Sequence, residues 1–255
     1  MDHLKQDFQL VVIDSPYEIL ERPLVEHLFT KMVGLKKQGY GSNYPHGVLP
    51  VDTTDFIATH VLLCQKKKDQ SLLPIMGYKT ITLEKCREYN LKFPGLTLVQ
   101  NAQMPVHAQV VESIMQRCEQ QAKGLAYLGS WTVDPIFKEK LKNKQEPKAN
   151  LREAFLAFYR QLYRQQNVAE VIIGGTLRFG TEKIFYGLGH RALALNGQEL
   201  SPIKVAHLIK EPVLVMHSAA FNETSAEAEK KWQVVWDERI HLKMNPGQQV
   251  QKRAA

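Results

Sequence analysis

The sequence predicts an α/β fold, and two stretches of the chain indicate this class. In the first, two apolar segments, residues 125–137 and 168–174, flank residues 150–166, whose apolar side chains recur at helical spacing. Two buried strands bridged by a helix form a parallel βαβ unit. In the second, the apolar segments 56–65 and 74–83 are separated only by a short lysine-rich run, which is typical of a hairpin.

The first elements follow from apolar spacing and from helix-breaking residues. Residues 8–13 are a short apolar strand, and residues 17–37 are predicted to form one helix, with Pro23 either breaking it or marking its first turn. The glycine- and tyrosine-rich segment 39–47 is a loop, either a lid over a pocket or a surface connection. Gly77, inside the second hairpin strand, indicates a bulge or a close backbone approach.

The middle of the chain mixes irregular and helical patterns. Residues 86–103 are expected to be irregular apart from a short strand at 96–99. A helix is predicted from Met104 to about residue 123, because its apolar residues fall at four-residue steps, and Gly124 is expected to be its C-cap.

The βαβ unit carries clear boundary signals. Pro135 cannot donate to a strand ladder, so pairing is expected to fail there. Asn150 is a good N-cap with Glu153 in the capping-box position, and such a helix N-terminus offers N–H groups to an anion. The remaining predicted elements are helices at 181–189 and 224–236, strands at 191–195 and 212–217, and a frayed end from Asn245.

Composition limits the partners and the compartment. The 255 residues, 44% of them hydrophobic, can bury a large core, and we divide them into a main domain, 1–220, and a C-terminal helix with its tail, 221–255. A net charge of +7 favours an acidic partner: nucleic acid, anionic lipid, a phosphorylated cofactor or an acidic carrier protein. Nucleic acid is disfavoured because no arginine-rich face with interleaved aromatics is evident.

Three further signals concern metals, disulfides and membranes. The cysteines, Cys64, Cys86 and Cys118, show no CxxC spacing, and the nine histidines include no HExxH, so we expect neither a disulfide framework nor a metal site. No apolar run approaches the roughly 20 residues of a membrane span, and the N-terminus has no apolar core of a signal peptide. These signals together predict a cytoplasmic protein.

The order of these elements and three motifs resemble the GNAT superfamily of acyltransferases. Residues 75–78 (IMGY) are similar to the start of its third strand, and residues 131–138 (WTVDPIFK) to its fourth strand and exit. Residues 185–190 (FYGLGH) are similar to the end of the helix after its fifth strand, one residue shorter. The resemblance spans residues 8 to 217. It implies a mixed, mostly antiparallel central sheet with helices on both faces and a splayed pair of parallel strands.

One departure from that family points to a particular branch. The family's pyrophosphate loop bears glycines, whereas residues 138–149 contain none and carry five lysines, at 138, 140, 142, 144 and 148. Three alternatives are open for this positive segment: it binds phosphates, it binds an acidic acyl carrier protein, or it is a solvated loop. A long loop without glycine resembles the acyl-homoserine-lactone synthases and N-acyl amino acid synthases, which take acyl groups from carrier protein.

The resemblance also implies which residues bind the acyl donor, either acyl-coenzyme A or acyl-phosphopantetheine on a carrier protein. The end of the fourth strand, with its backbone N–H groups, is expected along the thioester: Trp131, Thr132 and Val133. Lys138 adds positive charge nearby. The start of the following helix is expected to face the phosphates through its N–H groups and dipole: Asn150, Leu151 and Arg152.

Acyl transfer to an amine also needs a base and an acid. Tyr186 matches the family's general acid, although a tyrosine there also fits as a helix aromatic packed on the sheet. Glu84 is the first candidate for the base and Asp134 the second. Three functions remain: an N-acyltransferase acting on a small-molecule amine, a catalytically inactive GNAT-like fold that binds a ligand or partner, and a basic domain of another class.

Overall fold

The computed structural model describes residues 2–44, 48, 51–142, 150–205, 208, 210–219 and 226–245. Its α-helices are α1 (Asp2–Asp7), α2 (Pro23–Gly41), α3 (Leu83–Glu88), α4 (Pro94–Asn101), α5 (Pro105–Gln120), α6 (Pro135–Lys142), α7 (Leu151–Gln165), α8 (Thr181–Gly187) and α9 (Ala226–Asp237). Its strands are β1 (Phe8–Asp14), β2 (Thr59–Lys66), β3 (Leu72–Thr82), β4 (Gly124–Val133), β5 (Val168–Thr176), β6 (Arg191–Ala192), β7 (Ala194–Leu195), β8 (Gln198–Glu199), β9 (Ile203–Val205), β10 (Glu211–Ser218) and β11 (Ile240–Leu242).

The chain divides into two compact units, each made of separate segments. The first contains Met1–Lys79, Ser130–Ala149 and Trp232–Ala255, and the second contains Thr80–Gly129 and Asn150–Lys231. The predicted division after residue 220 stays a prediction. Among the described residues, no helix is both long and apolar enough to cross a membrane.

In the first unit the strands lie in the order β11-β1-β2-β3. β1 is antiparallel to β2, from Phe8 opposite Gln65 to Asp14 opposite Thr59, and parallel to β11. α2 buries one stripe against this sheet, with Leu28 and Met32 in a cluster that includes residues of β1 and β2. Pro23 is the first residue of α2, where the N–H that proline lacks would have no partner inside the helix. The alternative in which Pro23 marks the first turn of the helix is therefore confirmed.

In the second unit the order is β4-β5-β10-β6, with β9 also on β10. β4 and β5 pair in parallel, as predicted for the βαβ unit, whereas β10 pairs antiparallel with β5, β6 and β9. α7 bridges the parallel strands, and the Asn150 side chain accepts a hydrogen bond from the N–H of Glu153 at 3.2 Å, which confirms it as the N-cap. The mixed, mostly antiparallel sheet predicted by the resemblance is confirmed.

Two predictions for the middle of the chain are wrong. Residues 86–103 contain the end of α3 and all of α4, and residues 96–99 are helical rather than a strand. Pro94 occupies the first turn of α4, where proline is tolerated. Gly124 does not cap α5, which ends at Gln120, but begins β4. A Cβ on Gly124 would lie 2.5 Å from the backbone oxygen of Asn167, so the glycine is needed for close approach at the start of β4.

The boundaries around Pro135 also need correction. β4 ends at Val133 rather than residue 137, and the lysine-rich stretch predicted as a loop begins as α6, with Pro135 as its first residue. Residues 143–149, with Lys144 and Lys148, lie outside the described residues. Residues 45–47 of the segment predicted as a loop also lie outside the described residues, and so do residues 246–255 of the predicted frayed end. The first part of that loop segment, residues 39–41, is the end of α2.

Candidate functional site

The end of β4 departs from a regular strand. Its parallel register with β5 ends at Leu128 opposite Ile173, although β4 runs on to Val133 and β5 to Thr176. Ser130 follows with φ of 57°, a left-handed conformation that is uncommon for a residue with a side chain. Such outliers are held in place by their surroundings and are concentrated at functional sites. Trp131, Thr132 and Val133, the residues expected along the acyl donor, come directly after it.

Thr132 is held from two sides within the first unit. It is buried, and its hydroxyl donates to the backbone oxygen of Ser130 at 3.1 Å. A Cβ on Gly39 of α2 would lie 2.3 Å from the Thr132 methyl group, so only glycine leaves room for this contact. Tyr40, next to Gly39, hydrogen-bonds to the Ser130 side chain, and burial raises the pKa of its phenol to about 12. The end of β4 is therefore fixed rather than loose.

Asp134 has a structural partner on α6. Its buried carboxylate accepts a hydrogen bond from the N–H of Phe137 at 2.8 Å, and its backbone N–H donates to the oxygen of Ile75 at 2.8 Å. This is the geometry of a helix N-cap. Lys138 follows one turn later, and its side chain is exposed. The structure thus brings Trp131–Val133, Asp134 and Lys138 together in one continuous strand-to-helix corner.

The start of α7 belongs to the second unit. Asn150 and Arg152 are exposed, and Leu151 is buried. The first N–H groups of any helix have no partner inside the helix. In the part of the chain that the structure describes, the Asn150 side chain accepts a hydrogen bond from one of these groups, the N–H of Glu153. The N–H groups of Leu151 and Arg152 therefore point out of the helix end, with the positive end of a 15-residue helix behind them.

Tyr186 lies in the last turn of α8 and is partly buried. The guanidinium carbon of Arg191 is 5.9 Å from the centre of its ring, and Arg191 donates to the backbone oxygens of Tyr186 (3.3 Å) and His190 (2.7 Å). Partial burial and the carboxylate of Glu199 raise the pKa of the Tyr186 phenol, and Arg191 acts in the opposite direction. The phenol is thus protonated at neutral pH and able to act as an acid.

Glu84 lies elsewhere in the second unit, in the first turn of α3. It is exposed and lines a cavity of about 440 Å³ together with Gly124, the first residue of β4. Trp131–Val133 are the last residues of the same strand. Within the second unit, the structure therefore places Glu84 with the first residue of β4.

The first unit also contains a buried ionic cluster that was not predicted from the sequence, which we call the Asp55 cluster. It comprises Asp52, Asp55, Lys36, Lys79 and His60. Lys79 Nζ donates to both carboxylate oxygens of Asp52 (2.9 and 3.0 Å) and to Asp55 Oδ2 (2.8 Å). Lys36 donates to the other oxygen of Asp55, and His60 Nε2 donates to the Asp55 backbone oxygen at 2.6 Å. The Asp52 side chain is 59% exposed, so the cluster reaches the surface there.

Opposing effects set the protonation states in this cluster. Burial raises the pKa of the Asp55 carboxyl, but the ammonium groups of Lys79 and Lys36 outweigh it and hold that pKa at about 2. Burial lowers the pKa of His60 to about 4, so its imidazole is neutral at pH 7. The available sequence signal was the D-x-x-D spacing, because Asp52 and Asp55 form a capping box at residues 53–56.

A second carboxylate cluster was also missed. Glu170 of β5 is buried and accepts hydrogen bonds from Arg117 Nη2 (2.5 Å) and His217 Nε2 (2.7 Å). Burial raises the pKa of the Glu170 carboxyl, but these two donors outweigh it and hold the pKa below its usual value. Within the described residues, no group of three His, Cys, Asp or Glu side chains is arranged to bind a metal ion.

Solved structures of acyltransferases are similar to this fold. One is a CoA-dependent acyl-homoserine lactone synthase, BjaI, with SAM and isopentyl-CoA, which is 12% identical, covers 94% of each chain and has a TM-score of 0.50. Another is the AHL synthase LasI, 12% identical over 93% of this chain and 98% of its own, with a TM-score of 0.45. A third is FeeM, an N-acyl amino acid synthase from uncultured soil microbes, 11% identical over 83% and 91%, with a TM-score of 0.44. No protein-family model and no curated protein matches the sequence.

The chain therefore has a GNAT-like fold, which it shares with the acyl-homoserine lactone synthase BjaI, as the motifs at residues 75–78, 131–138 and 185–190 implied. At 12% sequence identity, this structural similarity shows a shared fold and nothing further. The activity has to be argued from the residues.

Proposed function

We propose that the chain is an N-acyltransferase that moves an acyl group from a thioester, on coenzyme A or on an acyl carrier protein, to the amine of a small molecule. The observation that carries this proposal is the end of β4. There the parallel register with β5 stops, Ser130 takes a left-handed conformation, and Trp131–Val133 follow. In the superfamily that the chain resembles, this is the segment whose backbone N–H groups meet the thioester carbonyl.

Exposed positive charges support a phosphorylated donor. Lys138 is exposed on α6, and Arg152 is exposed in the first turn of α7 beside the outward N–H groups of that helix. A pyrophosphate or a phosphopantetheine phosphate has the charge and the acceptor oxygens that such a helix end binds. We assign Trp131–Val133 to the acyl chain and thioester, and Lys138 and Asn150–Arg152 to the phosphates.

We assign the acid to Tyr186, which protonates the leaving thiolate. Its phenol is protonated at neutral pH, and Arg191 holds its helix turn through two backbone oxygens. Asp134 is the carboxylate nearest along the chain to the proposed donor segment, and Glu84 is the alternative base. The base takes a proton from the ammonium of the acceptor, so that the free amine attacks the thioester carbonyl.

One observation favours a second candidate, a GNAT-like fold that binds a ligand or partner without catalysis. The Asp134 carboxylate accepts a hydrogen bond from Phe137, and Glu84 lines a cavity with the first residue of β4. A corner without an available base still binds a thioester but does not transfer its acyl group. Thioester binding without turnover across a panel of amines would favour this candidate.

The first experiment is a thermal unfolding series with acetyl-coenzyme A, a long-chain acyl-coenzyme A and acylated carrier protein, each titrated separately. A ligand that binds only the folded state raises the unfolding midpoint, whatever the acceptor. We expect a saturable rise with one of the three, which identifies the donor class. Arg152→Gln is expected to weaken that rise, whereas Lys31→Gln, at an exposed position on α2, leaves it unchanged. No rise with any of the three donors contradicts the proposal.

A further inference from the structure

The cavity that contains Glu84 has the build of a ligand site. It lies in the second unit, where α5 and α7 end and where β4 and β5 begin. Its volume of about 440 Å³ falls within the range of small-molecule sites, roughly 300–1,000 Å³. Four charged side chains line it, two acidic and two basic: Glu84, Arg87, Glu119 and Lys123.

These four charges are not equivalent. Arg87 and Glu119 form an ion pair with each other across the cavity wall, so each satisfies the other. Glu84 and Lys123 have neither a hydrogen-bond nor an ion-pair partner for their side chains in the part of the chain that the structure describes. The cavity thus offers one unmatched carboxylate and one unmatched ammonium group to a ligand.

Behind this charged rim the lining is apolar. Leu83, Leu125 and Val168 are buried, and so is Cys118. Burial and the neighbouring Glu170 raise the pKa of the Cys118 thiol to about 11, so at neutral pH this side chain is an uncharged, weakly polar group. The deeper part of the site therefore suits an apolar group on the ligand.

Two helix ends add a preference for a cation near the acidic side. α5 ends at Gln120 and α7 at Gln165, and Ala122 and Gln166, which follow them, line the cavity. The C-terminal end of a helix carries partial negative charge, which stabilises a nearby cation. These ends disfavour a phosphate or a nucleotide, which would also face Glu84.

We propose that this cavity binds a zwitterionic α-amino acid with an apolar side chain, its ammonium group on Glu84, its carboxylate on Lys123 and its side chain against Leu83, Leu125 and Val168. An amine alone leaves Lys123 without a partner, and a carboxylic acid alone leaves Glu84 without one. A peptide or protein segment lacks the adjacent opposite charges, except at its ends. This binding needs no thioester and uses the first residues of β4, so it is measured apart from the proposed transfer reaction, in which Glu84 is the alternative base.

Isothermal titration calorimetry on the full chain, without any thioester, tests the proposal. The first probe, L-leucine, has both charges and the apolar side chain. Isoamylamine keeps the side chain and only the ammonium, and 4-methylpentanoate keeps the side chain and only the carboxylate. Glycine keeps both charges and lacks the side chain. We expect L-leucine to bind at one site per chain. The other three are expected to bind at least about tenfold more weakly, because isoamylamine and 4-methylpentanoate each lose one charged contact and glycine loses the burial of the apolar side chain.

Charge-neutral variants then locate the binding. Glu84→Gln and Lys123→Gln are each expected to weaken L-leucine binding by about tenfold or more. Glu112→Gln and Lys204→Gln are the matched controls, because both side chains are exposed and lie outside the cavity lining. All four positions are at the surface, so folding is expected to be retained, and the unfolding midpoint checks this.

Three results overturn the proposal: no heat of binding with L-leucine, equal affinity for L-leucine and isoamylamine, or affinity unchanged in both Glu84→Gln and Lys123→Gln. Because the titration contains no acyl donor, its outcome does not depend on whether the chain transfers acyl groups. A failure of the donor-binding series likewise leaves the calorimetric result standing.

Discussion

The two units bury polar groups in different ways. The first unit buries charge: Lys36 and Asp55 are nearly inaccessible, and Lys79 donates to Asp55 and to the half-exposed Asp52. In the second unit, besides the buried carboxylate of Glu170, two neutral pairs are fully buried: Tyr159 with His190 at 2.7 Å and Tyr163 with Thr80 at 2.8 Å. The aromatic rings of Tyr159 and Tyr163 also meet edge to face at 4.7 Å.

The difference predicts different responses to the loss of one partner. A buried charge without its counter-ion loses both its Coulomb attraction and its hydration, which costs about 3–5 kcal/mol. A buried neutral group without its partner loses only a hydrogen bond and a smaller hydration energy, about 1–3 kcal/mol. The Asp55 cluster of the first unit is therefore expected to be specified more strictly than the two neutral pairs of the second unit, which are expected to tolerate conservative changes.

The largest effect is expected for Asp55→Asn. This change removes the negative charge between Lys36 and Lys79 while keeping the shape of the side chain, so two buried ammonium groups lose their main counter-charge. We expect the free energy of unfolding to fall by about 3–5 kcal/mol, measured by urea denaturation at neutral pH. The matched control is Glu112→Gln at an exposed position, which is expected to change it by no more than about 0.5 kcal/mol. A loss below about 1 kcal/mol for Asp55→Asn would show that water reaches the cluster.

The pH dependence of stability compares one histidine from each unit. Burial lowers the pKa of His60 to about 4 and that of His190 to about 3, both below the ordinary 6.5. Between the folded and the ordinary pKa the unfolded chain binds more protons, so each histidine makes stability fall as the pH is lowered from about 6.5. The contribution is present in full above about pH 6.5 and is lost progressively down to the folded pKa.

Replacing either histidine by glutamine removes one titrating group. We expect His60→Gln and His190→Gln each to reduce the slope of unfolding free energy against pH by about 1.4 kcal/mol per pH unit between about pH 4 and 6. Between about pH 3 and 4 only His190→Gln is expected to differ in slope from the wild type. The control is His27→Gln, whose side chain is exposed on α2. Slopes equal to the wild type in both variants would mean that these imidazoles are solvated.

Tyr159→Phe tests the first neutral pair. The phenol oxygen is lost, and the fully buried His190 loses its hydrogen-bond partner at Nε2. We expect a loss of about 1–3 kcal/mol in the free energy of unfolding, smaller than for Asp55→Asn. Tyr17→Phe is the matched control, because that ring is 64% exposed. A loss as large as that of Asp55→Asn would remove the distinction between the two interiors.

Most long elements of the fold were predictable from the sequence, and the short helices were not. α5 and α7 carry apolar residues at helical spacing over four turns or more, which leaves little ambiguity. α4 and α6 have eight residues each, about two turns, and this is too short for the period to show. Both begin with a proline, Pro94 and Pro135, and proline marks the end of a strand as readily as the first turn of a helix.

Polar contacts between residues close in sequence were predictable, whereas those between distant residues were not. The Asn150 cap was predictable because its partner Glu153 is three residues away. The Asp55 cluster was not, because Lys36 comes from α2 and Lys79 from β3, and only the folded chain brings them to one carboxylate. Glu84 was chosen as a base because it follows a strand, but chain order does not specify which strand end it meets.

The smallest effect is expected for the pair of Thr80 and Tyr163, and a double-mutant cycle measures it. Tyr163→Phe alone leaves the buried Thr80 hydroxyl without this partner, and Thr80→Val alone does the same to the Tyr163 phenol, so each is expected to cost about 1 kcal/mol. The double variant replaces both polar atoms by apolar groups of similar shape and is expected to cost less than the sum of the two, by about 0.5–1.5 kcal/mol, in urea denaturation. The corresponding cycle with Asp55→Asn and Lys36→Met is expected to give a larger coupling, because there the unmatched group is a charge. Equal coupling energies in the two cycles would contradict the expected difference between charged and neutral pairs. Burial alone, and not charge, would then determine the cost of losing a partner.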